Sequence, residues 1–353
     1  MNEIQNDGTR RPFGVGLMSG GLDSTLAAAI LKESGARVLG LHFSTGFCMT
    51  DHRRAIGRKD EDPRRLRNEA LHAAGDIDVE IRVIDVAEEY FEMVKAPKHG
   101  YGSKANPCID CRIFMLEKAR QVMEEEGADF VFTGEVVGQR PFSQHMAALR
   151  MIEKETGLAG RLLRPLSAHY LPPTIAEKEG LLDRAGLLAI RGRSRRPQQE
   201  LARRLGVVDY PQPSGGCCYL ADENFARKFM DKLAHPGGGK ITREEIVLLK
   251  VGRHFRLGPA TKVVVGRDEG ENNFLERFTS GRWTLRSADH VGPLTIIEGE
   301  ADERAIEEAA RIAARYGDGH GEAVIRVEAR RGEESRTLSV PPALDAELSS
   351  IRI

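Results

Sequence analysis

The sequence predicts an α/β fold, a doubly wound parallel sheet followed by a smaller C-terminal α+β domain. Three observations carry that expectation. Short apolar runs alternate with helical patterns from Phe13 onward, at the spacing of βαβ units. A Gly-Gly turn joins the first apolar run to the first helical one. The pattern then changes beyond His235-Pro236-Gly237-Gly238-Gly239, the clearest linker in the chain.

In order, Phe13 to Met18 reads as a buried strand, Ser19-Gly20-Gly21 as a turn, and Asp23 to Leu31 as an alanine-rich helix. A strand, a glycine turn and a helix start make an anion site, because backbone N–H groups converge there without partners. Arg37 to Phe43, Val79 to Val86 and Asp129 to Thr133 read as further strands. Residues 51–67 are rich in charge and expected at the surface, and a short helix is expected over 68–74. Glu88 to Lys95 reads as a helix, as does Arg112 to Glu125 with its broad apolar face. Residues 149–210 are basic and read as helical. Between Arg184 and Arg204 seven arginines face one acid, Glu200. Beyond the linker, Lys262 to Val265 and Glu322 to Val327 read as strands, and Asp302 to Tyr316 as an amphipathic helix stopped by Gly317. The expected domains are a flexible tail over 1–12, a nucleotide-binding domain over 13–180, a basic helical extension over 181–235, a linker over 236–240 and the α+β domain over 241–353.

The 353 residues allow a sizeable core, and 41% hydrophobic with 30% charged residues is a soluble composition. A net charge of −1 leaves nucleic-acid binding to local patches. The first twelve residues are polar and are no signal peptide, and no run reaches the roughly 18 apolar residues of a membrane span. The expected location is cytoplasmic, with no membrane partner. Five cysteines, an odd number, point to metal or redox chemistry rather than a disulfide framework.

Two of them, Cys108 and Cys111 in Asn106-Pro107-Cys108-Ile109-Asp110-Cys111-Arg112, stand just ahead of a helix. That spacing can place two sulfurs on one metal or form a redox pair, and a helix start favours the thiolate. Cys217-Cys218 follows much later in a second glycine-rich turn. Cys48, after the second strand, is expected to be a buried thiol. The arginines Arg193, Arg195 and Arg196 can fork onto phosphates, and Arg253 and Arg267, in two Gly-Arg turns beside strands, add a backbone nest.

Ser19-Gly20-Gly21-Leu22-Asp23-Ser24 resembles the PP-loop of the ATP pyrophosphatase superfamily, which cleaves ATP to AMP and pyrophosphate to activate a carbonyl. The resemblance implies an adenine nucleotide alpha hydrolase-like fold. It also implies ATP held by those six residues, and Mg²⁺ placed with the help of Asp23. Thr133-Gly134-Glu135, with Gln139, Ser143 and Gln144, resembles a loop of the tRNA 4-thiouridine synthases, which adds Gly134, Glu135 and Gln139 to the expected ATP site. Asn106, Pro107 and Cys111 are similar to a motif of the tRNA 2-thiouridylases, whose cysteine is catalytic.

CxxC with one distant cysteine also resembles the iron–sulfur-dependent tRNA thiolation enzymes. That likeness implies a [4Fe–4S] cluster on Cys108, Cys111 and either Cys217 or Cys218. Zinc, no metal at all, or a persulfide or disulfide relay between Cys111 and one of the pair remain open. Residues within 245–295, carrying both Gly-Arg turns, are similar to the RNA-binding module of the NFACT proteins.

Together these features imply an ATP-dependent tRNA sulfurtransferase that adenylates a uridine carbonyl and replaces its oxygen with sulfur. Asp23, Cys111, Cys217 and Cys218 would be the catalytic set. Its partners would be tRNA and a sulfur donor, either a cysteine desulfurase or sulfide, and a homodimer is compatible with this reading. Two rivals share the motifs: a PP-loop enzyme activating a small-molecule carbonyl, and a non-catalytic nucleotide-sensing RNA-binding protein.

Overall fold

The computed structural model describes residues 10–56, 67–211, 218–236 and 241–353. In chain order the helices and strands are β1 (Phe13–Leu17), α1 (Leu22–Glu33), β2 (Arg37–Ser44), α2 (Met49–Ile56), α3 (Glu69–Asp76), β3 (Glu80–Asp85), α4 (Ala87–Lys95), α5 (Cys108–Glu126), β4 (Phe130–Phe132), α6 (Met146–Glu155), β5 (Leu162–Leu163), α7 (Ile175–Lys178) and α8 (Arg196–Arg204). There follow α9 (Glu223–Ala234), α10 (Arg243–Leu248), β6 (Arg253–Gly258), β7 (Thr261–Val265), α11 (Glu269–Leu275), β8 (Thr284–Ser287), β9 (Thr295–Gly299), α12 (Glu303–Arg315), β10 (Ile325–Arg331), β11 (Glu334–Val340) and α13 (Asp345–Ile351).

These elements form two compact units. The first holds described residues 10–48 and 67–211, the second 49–56, 218–236 and 241–353. The first is built on a parallel five-stranded sheet of order β3-β2-β1-β4-β5. The chain runs outward from β1 through β2 to β3, then returns to place β4 on β1's other side. That reversal between β1 and β4 is where an open α/β sheet leaves a crevice at its carboxyl end. The doubly wound expectation is borne out.

Glycine decides how β1 lies in the sheet. Gly14 pairs with Phe130 and Gly16 with Phe132. A Cβ on Gly14 would sit 2.4 Å from the Phe130 ring, and one on Gly16 would sit 2.0 Å from the Phe132 ring. Both rings are fully buried and cover the bare face of β1. Met18, Leu22, Leu26 and Leu31 join them in the core of this unit.

Helix α5 starts at Cys108, one turn before the expected Arg112, so both cysteines lie within the helix rather than ahead of it. Pro107 is its N-cap, and the loop before it is folded by Asn106, whose Oδ1 accepts from Lys104 N at 3.2 Å. The stretch from 149 to 210 is less helical than expected. It holds most of α6, then β5, two 3-10 turns and two further short α-helices, with residues 187–195 in irregular backbone. Cys48 is half-buried rather than buried.

The second unit carries a six-stranded antiparallel sheet of order β11-β10-β8-β9-β7-β6. Helix α12 seals one face through Ile306, Ala309, Ala310, Ile312 and Ala313, against Val263, Leu285, Ile297 and Val327. Helix α9, expected in the basic extension, belongs here. Its Lys228 ammonium donates to the carbonyls of Leu249 and Gly252, and its Asp231 pairs with Arg256. Residues 49–56, at the start of the charge-rich stretch, form α2 of this unit, with His52 buried. The expected tail lies largely, and the 236–240 linker almost wholly, outside the described residues.

Replacing Gly16 by Ala is expected to cost about 1–3 kcal/mol, the usual range for overpacking a core. Urea unfolding measures it. The double variant Gly16→Ala, Phe132→Leu should recover part of the loss, because the ring is what the added methyl strikes.

Candidate active site

The candidate site lies in the first unit, at the carboxyl ends of β1 and β4. Strand β1 delivers the chain into Ser19-Gly20-Gly21. Gly20 has φ of +75°, and its Cβ position lies 2.2 Å from the Glu69 carbonyl carbon at the start of α3. Only glycine combines that backbone with that approach. Asn68 caps α3 by accepting from Ala70 N and Leu71 N, which fixes the surface under the loop.

The loop is closed on itself. Ser24 Oγ donates to Gly21 O at 2.9 Å, Gly21 N donates to Ser19 Oγ at 3.3 Å, and the two serine hydroxyls lie 3.2 Å apart. Leu22 is buried and reaches the site through its backbone alone.

The loop after β4 presses onto this turn. A Cβ on Gly134 would lie 2.4 Å from both Asp23 C and Ser24 N, so Gly134 acts here as the point of closest approach. Gln139 Nε2 donates to Asp23 Oδ2 at 3.0 Å. Burial pushes the Asp23 carboxyl up from its ordinary range, against the pull of Gln139, Arg195, Arg140 and Gln198. Its Oδ1 is buried without a partner among the described residues.

Glu135 was expected among the ATP residues, and both of its oxygens are engaged within the protein. Arg164 Nε lies 3.0 Å from Oε2, Arg112 Nε lies 3.1 Å from Oε1, and Thr133 Oγ1 lies 3.2 Å from Oε2. Burial alone would raise the Glu135 carboxyl, but the two guanidiniums and these hydrogen bonds outweigh it and hold it below the usual range. Sequence reading placed Arg112 and Arg164 beside motifs but did not pair either with Glu135. The signal was available, since a buried acid after a strand needs a cation.

Arg112 sits one residue after Cys111, so the same carboxylate ties α5 to the loop after β4. Asn106 Nδ2 lies 3.2 Å from Cys108 Sγ, as a donor to sulfur. Asp110 accepts from His99 N and pairs with its Nδ1 at 3.0 Å, while Glu155 meets His99 Nε2 at 3.2 Å. The hydrogen bond to Asp110, chiefly, raises the His99 pKa above 6.5.

The expected sulfur residues do not all fall within this unit. Cys217 lies outside the described residues, and Cys218 belongs to the second unit. Among the described residues no group of three His, Cys, Asp or Glu side chains forms a metal centre.

The arginine cluster divides. Arg193 and Arg196 are exposed, whereas Arg195 turns inward, with Nη2 3.9 Å from Asp23 Oδ2. In the second unit the two Gly-Arg turns bind each other: Arg253 donates to Gly266 O and Arg267 to Gly252 O. The backbone nest expected for phosphate is filled by Glu271, whose Oε2 accepts from Gly252 N at 3.1 Å and Arg267 N at 3.0 Å. Beside it lies a cavity of about 220 Å³ whose lining includes Arg53, Tyr219, Lys228, Lys250, Arg267 and Glu271. Burial, with Arg267 nearby, pushes Lys228 down to about 7.

Glu135→Gln should destabilise the chain by about 3–5 kcal/mol, because it leaves the buried Arg164 guanidinium short of a counter-charge. A folded carboxyl held low contributes stability above its unfolded value, and that contribution goes as pH falls through the folded one. The wild-type advantage in urea melts should therefore shrink below about pH 4. His99 has the opposite sign. Its contribution is complete below about pH 6.5 and lost as pH rises through its raised value, so the margin over His99→Gln should be larger at pH 6 than at pH 9.

Comparison with known proteins bears out both domain resemblances. Residues 11–169 match the family described as thiamine biosynthesis protein (ThiI), and residues 252–351 match the NFACT protein RNA binding domain. Among curated proteins, the tRNA-specific 2-thiouridylase MnmA of Petrotoga mobilis is 33% identical over 129 residues, covering 33% of this chain and 34% of that protein. The MnmA of Thiobacillus denitrificans is 26% identical over 266 residues, covering 72% and 68%; that of Christiangramia forsetii is 26% identical over 320 residues, covering 82% and 74%. The chain thus spans about a third of the first of these relatives. A solved 4-thiouridine synthetase–RNA complex with bound ATP aligns at 19% identity and TM-score 0.31, over 56% of this chain and 52% of that one.

Proposed function

We propose that this protein is an ATP-dependent tRNA sulfurtransferase that makes a thiouridine. One observation carries the reading: the glycine-rich turn and the CxxC helix meet on a single loop. Gly134 packs on the Asp23–Ser24 peptide, and the adjacent Glu135 binds Arg112, the residue after Cys111. A nucleotide cradle and a sulfur-bearing helix are so held to one support. The ThiI match over 11–169 and the 2-thiouridylase relatives agree with it.

On this reading Ser19, Gly20, Gly21, Leu22, Asp23 and Ser24 hold the pyrophosphate portion of ATP through amides and hydroxyls. Gly134 and Gln139 shape that cradle, and Glu135 positions it. The desolvated Asp23 carboxylate, with one oxygen unpartnered among the described residues, suits a hard cation such as Mg²⁺. Magnesium would offset charge on the phosphoryl oxygens when bound.

A uridine carbonyl oxygen attacks the α-phosphorus and pyrophosphate departs, leaving the oxygen as part of an AMP leaving group. On the persulfide route, the outer sulfur loaded on one cysteine by a cysteine desulfurase bonds to the same carbon and AMP departs. A second cysteine thiol then attacks the carrier sulfur, so the S–S bond breaks, the thiouridine is freed and a disulfide forms that an external thiol reductant reopens. Cys108 and Cys111 are the cysteines of the first unit that carry sulfur, with Cys217 or Cys218 as the distant partner. Among the described residues no group of three ligating side chains forms a metal centre, so no step is assigned to a cluster. tRNA would be met by the exposed Arg193 and Arg196, and in the second unit by the cavity cations beside Arg267; Arg253 supports its turn. No described helix is long and apolar enough to cross a membrane, in keeping with a cytoplasmic enzyme.

Nucleoside mass spectrometry of tRNA from a deletion strain is expected to show loss of one thiouridine, restored by the wild-type gene and by neither Cys111→Ser nor Asp23→Asn. Unchanged 2-thio- and 4-thiouridine would refute the reading, as would AMP release without any tRNA requirement. Anaerobic purification tests the metal. Brown protein with iron and acid-labile sulfide means a cluster, colourless zinc protein means zinc, and metal-free active protein means a persulfide.

A further inference from the structure

Arg193, Arg195 and Arg196 were expected to face RNA, yet part of the segment that carries them is stitched into the candidate active site. Val137 and Arg191 form an isolated parallel bridge, Gly192 N donates to Val137 O at 2.8 Å, and Gly138 lies against Gly192. The chain thereby runs along the loop after β4 before entering α8. Pro197 in the first turn of α8 leaves one backbone donor fewer to satisfy there. Two side chains of the segment then turn toward Asp23. Arg195 Nη2 approaches Asp23 Oδ2 at 3.9 Å, and Gln198 is wholly buried.

Five polar atoms gathered at this corner lack a hydrogen-bond partner among the described residues. They are Asp23 Oδ1, Gln139 Oε1, Arg195 Nε and both amide atoms of Gln198. A buried polar atom left unpaired is costly, and a cluster of them marks a place that something else completes. The mixture of types says what. Three are acceptors and two are donors. Phosphoryl oxygens satisfy donors only. A hydrated divalent cation satisfies acceptors, through its metal or its water protons. A magnesium–polyphosphate presents both at once, at the end of a parallel sheet where such groups bind.

We infer that Arg195 and Gln198 complete the nucleotide site by binding its magnesium–pyrophosphate portion, Arg195 as a phosphoryl ligand and Gln198 as a positioning residue for Asp23. This deepens the proposed function and rests on its placing of ATP at Ser19–Ser24. It also removes Arg195 from the RNA surface and leaves Arg193 and Arg196 there.

Calorimetry on the full chain with four probes, MgATP, Mg²⁺–pyrophosphate, adenosine and tRNA, tests this beside thermal melts of the ligand-free protein. Gln198→Met keeps the shape of the side chain and deletes both orphan atoms. It should raise the ligand-free melting temperature by about 2–4 °C while weakening Mg²⁺–pyrophosphate about tenfold. Adenosine binding should stay within about twofold. Arg195→Met should weaken Mg²⁺–pyrophosphate similarly and leave tRNA affinity within about twofold, whereas Arg193→Met should do the reverse.

Gln198→Met that lowers the melting temperature and spares pyrophosphate would make the residue structural and overturn the inference. A loss confined to adenosine, or an Arg195→Met loss confined to tRNA, would overturn it too. Wild-type protein that binds neither MgATP nor Mg²⁺–pyrophosphate would sink the proposed function as well. Pyrophosphate loss in both variants without tRNA-dependent AMP release would leave this inference standing and that function refuted.

Discussion

A single buried carboxylate holds the first unit's working parts in register. Glu135 lies between Arg164, next to β5, and Arg112, in the first turns of α5. The buried Glu135 and Arg164 charges would each be expensive alone in that interior, and each is tolerable because its partners are fixed, the half-buried Arg112 among them. Arg164 is itself fully buried and extends the tie to Glu153 on α6. The loop after β4 therefore cannot move without moving α5, and its neighbour Gly134 rests on the turn after β1. Position in this site is transmitted by charge on one side and by close backbone packing on the other.

Much of the architecture was legible because it depends on local pattern. The first strand, the glycine turn and α1 are set by an apolar run, two glycines and an alanine-rich stretch, and the parallel order follows from their alternation with helices. What local pattern could not reveal was which side chains serve partners far along the chain. Arg195 sits in a run of arginines that looks uniformly like surface, yet the bridge between residues 137 and 191 turns it inward. Helix α9 looks like the end of a basic extension, and only Lys228 reaching the Leu249 and Gly252 carbonyls assigns it to the second unit. The strand over Phe13–Met18 was legible, but its pattern does not say that Phe130 and Phe132 occupy the side-chain space Gly14 and Gly16 leave.

The second unit shows how a motif can be real and still be spent internally. Both Gly-Arg turns are present as read, and their geometry makes the expected nest. Glu271 fills that nest, so the protein supplies its own anion where a phosphate was anticipated. Positive charge then lies beside the nest, on the half-buried Arg53 and Lys250 and the exposed Arg267.

The contact between Gly134 and the Asp23–Ser24 peptide bears on how such a chain can diverge. Two backbones meet there with no room for a methyl group between them. A lineage could preserve every residue from Ser19 to Ser24 and still lose the shape of that turn through one change more than a hundred positions away. The two stretches are therefore inherited as one object, and descendants that retain the first while altering the glycine of the second will have abandoned the site without any mark on its best-known letters.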